Sequence, residues 1–169
     1  MHLDEINRIS RDEFVRKFGG IYESSAWVAE AVVEQRPFTD TDLFIKTMRT
    51  TVDDADEATK LALIRAHPDL AGKLAQRGEL TDHSAREQSR LGLDRLEKDE
   101  FEEFTDLNTT YRERFGFPFI ICVAHVDKPG ILSAFRERLH HSPSTERDEA
   151  LEQIHLIAEN RVLTLIGDS

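Results

Sequence analysis

The segment FPFIICVA, Phe117 to Ala124, constrains the fold of this chain more than any other, because it is the only stretch that reads as extended. A sheet needs a second strand, and no other run of comparable β-branched and aromatic character is present. The remainder is helical by periodicity and punctuation. Ser10 followed by Glu13 has capping-box spacing, and Gly19-Gly20 ends the first helix. A second helix runs from about Ser25 toward Gln35 and stops before Pro37. A third opens near Thr39 or Asp40 and carries Phe44, Met48 and Val52 four residues apart. The fourth spans roughly Asp54 to Ala66, with Leu61 and Ile64 expected as its core pair. A short turn of helix through Leu70 and Leu74 ends at Gly78, and another helix follows from about Thr81 to Leu91. The longest exposed helix carries Phe101, Phe104, Leu107, Tyr111 and Phe115 on one stripe, with Gly116 as its stop. Two helices close the chain, one begun by Pro129 and one from about Thr145 to Ile166. The expected fold is all-α: one domain over residues 1–169, a bundle of about eight helices counting short ones, with one buried extended segment at Phe117–Ala124.

That segment poses a problem of its own. Buried non-helical backbone must find partners for its N–H and C=O groups, and Pro118 removes only one donor. Two solutions stand: neighbouring side chains and water satisfy the run, or a heterocycle laid alongside it does.

Composition removes several classes of function. Hydrophobic residues at 39% and charged residues at 33% describe a soluble globular protein. No apolar run approaches the length of a membrane span. The opening MHLDEINRISRDEF lacks the apolar centre of a signal peptide. The single cysteine, Cys122, excludes an internal disulfide and is compatible with a reducing compartment. A formal charge of −11 repels phosphate backbones, so nucleic acid is not an expected partner. A small anionic substrate remains compatible, because a local pocket can reverse the sign of the overall field.

Three further places could carry chemistry. In AHPDLAGK, Ala66 to Lys73, proline disfavours αR for the residue before it, so His67 should leave the helix in an extended conformation. The imidazole then sits at a helix C-terminus, either as a cap or as a presented acid–base group. In SAREQSRLGL, Ser84 to Leu93, Ser84 and Glu87 have capping-box spacing. Alternatively Thr81 or Asp82 caps the helix, and Ser84 lies in a first turn that offers N–H groups beside Glu87 and Gln88. On the last helix, Arg161 falls beside the stripe Leu151, Ile154, Ala158, Val162 and Leu165, with no acid at i±3 or i±4. Such an arginine needs a distant carboxylate or a ligand. Other chemistry is weaker. Cys122 with His67 or His125 could form a nucleophile pair, against the simpler reading of an inert thiol. His67, Asp69, His83 and His125 match no metal-ligand spacing, and His140-His141 reads as solvated loop.

Together these segments resemble the OHCU decarboxylase family, whose substrate is 2-oxo-4-hydroxy-4-carboxy-5-ureidoimidazoline, an intermediate of urate breakdown. The resemblance rests on AHPDLAGK, on the S-x-x-E-Q of SAREQSRLGL, on NTTYRERFGFPFIICV and on ALEQIHLIAENRVLTLI, in that order, from Phe14 to Leu165. It implies an all-α fold, frequently a homodimer, and no cofactor. It implies His67 as the catalytic histidine with Pro68 touching the substrate. Ser84, Glu87 and Gln88 would form the polar cluster for the ureido and ring amides, with Glu87 counted as catalytic. Phe119, Ile120, Ile121, Cys122 and Val123 would be the backbone segment that recognises the five-membered ring, and Arg161 a contact to an anionic or carbonyl group. The partner is then a small-molecule ureide and neither nucleic acid nor membrane. The ending LIGDS departs from the peroxisomal address of eukaryotic members, which favours a cytoplasmic enzyme of bacterial type.

The implied reaction is decarboxylation of OHCU to (S)-allantoin, the last step from urate to allantoin. Two readings compete with it. A non-catalytic helical interaction module would leave His67, Glu87 and Arg161 as separate caps and ion pairs. A metal-assisted cyclic amide hydrolase would need a ligand set.

Overall fold

The structure is a computed structural model that describes residues 1–167; Asp168 and Ser169, on which the reading of LIGDS partly rests, lie outside them. Among the described residues there are ten α-helices, two single 3-10 turns and no strand, so the fold is all-α. No helix among them is long and apolar enough to cross a membrane. The chain divides into two compact units, one of Met1–Ala66 with the chain from Ala158 onward, the other His67–Ile157.

The first unit holds α1 (Leu3–Arg8), α2 (Arg11–Phe18), α3 (Trp27–Val32, continued by the turn Val33–Gln35), α4 (Thr41–Asp53), α5 (Glu57–Arg65) and the end of α10 (Pro143–Gly167). Local chemistry sets these boundaries. Ser10, Asp40 and Asp56 each cap the following helix by accepting a backbone N–H three residues on. Backbone bonds to the Asp40 and Asp56 carboxylates hold both pKa values below the ordinary range. The core is aromatic: Phe14, Phe18 and Phe44 meet at 4.8 to 5.9 Å between ring centroids. Each buried ring of this kind contributes about 1.5–3 kcal/mol. In α5 the structure corrects the expected core pair. Leu63 and Ile64 are buried, whereas Leu61 is only half-buried.

The second unit holds α6 (Lys73–Arg77), α7 (Asp82–Arg90), α8 (Lys98–Phe115), the turn Val123–His125, α9 (Lys128–Arg138) and α10 as far as Ile157. Gly116 ends α8 in the left-handed region at φ 76°, where a side chain would be strained. The buried face of α8 runs through Phe104, Asn108 and Tyr111, so a polar residue occupies the core side where the apolar stripe placed Leu107. With 25 residues α10 is the longest helix among the described residues.

The extended segment needs a narrower description than Phe117–Ala124. Phe117 to Ile120 are buried, Ile121 and Cys122 are half-buried, and Val123 and Ala124 already belong to the 3-10 turn. Beneath the segment lies a buried polar network. Glu146 is fully buried and accepts from Arg138 Nε at 2.6 Å and from the Tyr111 hydroxyl, with the Arg138 Nη2 atom 2.5 Å away. His141 Nδ1 meets the other carboxylate oxygen at 2.9 Å, so His141 is a half-buried partner and not the solvated loop residue expected. Burial first, and then the Glu146 contact, drive the Tyr111 phenol pKa far above its ordinary value.

Candidate active site

The three candidate segments of the second unit are tied to one another through α7. Thr81 is the N-cap of that helix and accepts the Ser84 N–H, which removes the Ser84 capping-box reading. Ser84 is instead a buried residue of the first turn, with buried Gln88 one turn later on the same face and half-buried Glu87 beside it.

Gln88 reaches the histidine loop. α5 ends at Arg65 and Ala66 is its C-cap, so His67 stands outside the helix as Pro68 dictates, and it is buried. Four residues on, the Ala71 N–H donates to Gln88 Oε1 at 2.8 Å. Because an N–H can only donate, the oxygen of the Gln88 amide must face Ala71, and the amide presents its NH2 group on its other side. Any ligand group there has to be an acceptor. Ala71 has φ 53°, a conformation that costs a non-glycine residue about 1–3 kcal/mol.

At its other end α7 is fastened to the extended segment. Arg90 Nη2 donates to the carbonyls of Val123 at 2.6 Å and Ala124 at 2.7 Å. The Cys122 N–H donates to Gln153 Oε1 at 2.8 Å. Arg138 Nη1 donates to the Ile120 carbonyl at 2.7 Å, with its guanidinium 4.4 Å from the centre of the Phe119 ring. Side chains therefore satisfy four backbone groups of the segment. None of the hydrogen bonds found among the described residues uses the N–H or C=O of Phe117, Phe119 or Ile121, and of these three only Ile121 is half-buried. That half-buried peptide position is where a flat, amide-bearing ligand could complete the pattern.

The family model for OHCU decarboxylase matches residues 7–163. The chain belongs to the OHCU decarboxylase family. A Haloferax volcanii protein named 2-oxo-4-hydroxy-4-carboxy-5-ureidoimidazoline decarboxylase is 45% identical over 160 residues, covering 95% of this chain and 93% of that one. The protein of the same name from Amia calva is 37% identical, covering 98% of this chain and 95% of that one. Among solved structures, an (S)-allantoin synthase superposes with a TM-score of 0.79 at 32% identity, over 98% of this chain and 54% of that chain. An OHCU decarboxylase determined in the presence of (S)-allantoin shares the fold, with a TM-score of 0.71 at 24% identity.

Within this family member, His67, Pro68, Ser84, Glu87, Gln88 and Phe119 to Val123 all lie in the second unit. Arg161 lies in the first. There it has the distant carboxylate that the sequence left open: its Nη1 donates to Glu23 Oε2 at 3.2 Å and to the carbonyl of Ile21 at 3.1 Å. Both side chains of the pair are buried. Sequence reasoning did not find Arg90, Asn108, Arg138, Glu146 or Gln153. For Asn108 a signal existed, since it stands at i+4 from Phe104 in an apolar face. Arg90, Arg138 and Gln153 meet the extended segment, and Glu146 meets Tyr111, across 18 to 35 residues of chain, and no spacing rule reports contacts at that range.

Proposed function

We propose that this chain is a carboxy-lyase that converts OHCU to (S)-allantoin in urate degradation, with His67 as its proton-handling group. The observation that carries this reading is the linkage through α7. Gln88 bonds the His67 loop and Arg90 bonds the extended segment, so three of the four motifs behind the resemblance form one hydrogen-bonded assembly. A non-catalytic module has no need to join those three segments.

Decarboxylation requires a sink for the electron pair that CO2 leaves behind, and OHCU contains one. The carboxyl-bearing ring carbon adjoins a ring C=N bond. As the C–CO2 bond breaks, its pair enters the bond between the two ring carbons and the C=N pair moves to nitrogen, which takes up a proton. The 4-hydroxyl of the resulting enol gives up its proton, and the neighbouring ureido-bearing carbon gains one. The tasks left to the protein are to orient the carboxylate, reduce its solvation and control the face of protonation.

His67 performs the proton step, by donating to carbon or by holding the 4-hydroxyl as it ionises. Burial of its ring in a loop fixed at Ala71 suits either role. Glu87, the second catalytic residue, accepts from the ureido N–H donors. Ser84 and the NH2 group of Gln88 face carbonyl or carboxylate oxygens. Pro68 and the run Phe119, Ile120, Ile121, Cys122 and Val123 hold the ring, with the Ile121 peptide as its hydrogen-bonding edge. Arg161 as a substrate contact rests on the resemblance alone, as do homodimeric assembly and cytoplasmic residence. The reaction calls for no cofactor.

Freshly generated OHCU supplied to the purified protein tests the activity. Circular dichroism should report (S)-allantoin forming faster than in buffer. Racemic allantoin at the buffer rate would remove the proposal.

A further inference from the structure

The Leu70–Ala71 peptide, just beyond His67, is gripped at both ends. Its carbonyl accepts from Asn108 Nδ2 at 2.8 Å, and its N–H donates to Gln88 Oε1 at 2.8 Å. Both amides are nine-tenths or more buried. The preceding residue, Asp69, is paired through Oδ1 with Arg112 Nε at 2.6 Å. Asn108 and Arg112 are one turn apart on α8, so a single helix face holds two consecutive residues of the loop. What they hold is strained. A left-handed alanine persists only where its surroundings over-determine it, and such positions cluster at functional sites.

Asn108 bears a second mark. Its Oδ1 is buried with no hydrogen-bond partner among the described residues. A side chain retained for packing alone would not leave an acceptor stranded on the core face of a helix. The useful part of this amide is its donor, and the donor serves Leu70.

We propose that Asn108 is a positioning residue for His67. With Gln88 and Arg112 it fixes the left-handed turn after Pro68 and so sets the direction in which the imidazole is presented. This rests on the reading of His67 as the proton-handling group.

Asn108→Leu tests it, because leucine has the same number and branching of side-chain heavy atoms. The variant loses the bond to Leu70 and also loses the stranded acceptor, two changes with opposite effects on stability. The thermal midpoint is expected to stay within a few degrees of wild type. The kcat on OHCU should fall about 10- to 100-fold with KM little changed, as expected when a reacting group is displaced by a fraction of an ångström. In a His67→Asn background the same substitution should add no more than about twofold, since it acts through the imidazole. Full kcat in Asn108→Leu beside an inactive His67→Asn overturns this inference and leaves the function standing. So does a loss that adds in full to that of His67→Asn. Wild-type turnover by His67→Asn removes the reading of His67 and this proposal with it. Should Asn108→Leu fail to fold, Arg112→Met cuts the Asp69 tie from a more exposed position. A several-fold fall in kcat, absent in the His67→Asn background, is then expected, and an unchanged kcat overturns the proposal.

Discussion

Replacing Glu146 by glutamine changes one charge and almost no volume at the centre of the second unit. The carboxylate is fully buried and faces Arg138, Tyr111 and His141. Glutamine keeps one acceptor oxygen but leaves the Arg138 guanidinium as an uncompensated charge at 5% exposure. Breaking a buried pair from one side costs about 3–5 kcal/mol, and the retained acceptor puts this case near the lower end. At about 2–4 °C per kcal/mol for a protein of this size, the thermal midpoint should fall by about 6–12 °C. Scanning calorimetry and urea unfolding at neutral pH read it directly. A second arm isolates the cause: adding Arg138→Met to Glu146→Gln removes the stranded charge and should recover at least half of the loss. A midpoint within about 1 °C of wild type for Glu146→Gln, or additive losses in the double variant, would refute the reasoning.

Other expectations concern pH, metals and the first unit. Burial raises the pKa values of both tyrosines, Tyr22 and Tyr111, well above the ordinary 10.0. A raised pKa contributes stability that is complete below the unfolded value and is lost as pH rises past it. The urea midpoint should therefore be flat to about pH 9 and fall above about pH 10, less steeply in Tyr111→Phe; an unchanged slope in the Tyr22→Phe, Tyr111→Phe double variant would contradict this. Activity should survive EDTA in full, since OHCU carries its own electron sink, and metal-dependent rescue after chelation would overturn that chemistry. Arg161→Lys keeps the charge beside Glu23 but loses the planar fork, so a substrate contact predicts a fall in kcat/KM of about ten- to a hundredfold. Loss of stability with turnover intact would make Arg161 purely the buried partner of Glu23.

How much of this was legible beforehand depended on whether the cause was local. The caps at Ser10 and near Asp40 and the exit of His67 before Pro68 follow from interactions within a few residues, and all are found. So does the absence of a second strand among the described residues. Thr81 against Ser84 as the cap of α7 was a choice between two competent side chains that only the fold decides. α1 went unseen because it is six residues long with no side-chain cap. The partners of Arg161 and Asn108 lie in remote parts of the chain, as Tyr111 does from Glu146. Spacing rules report a missing neighbour at i±4, as they did for Arg161, and cannot say which distant group takes its place.

As the proposed proton-handling group, His67 controls the proton that fixes the chirality of the product. His67→Asn and wild type, given freshly generated OHCU under the same conditions, test it through the rate and enantiomeric excess of allantoin followed by circular dichroism. A loss of about 10²-fold or more in kcat is expected, the usual contribution of a positioned acid–base group, with the remaining product approaching the racemate formed in buffer. Near wild-type turnover to enantiopure (S)-allantoin by the folded variant would contradict it.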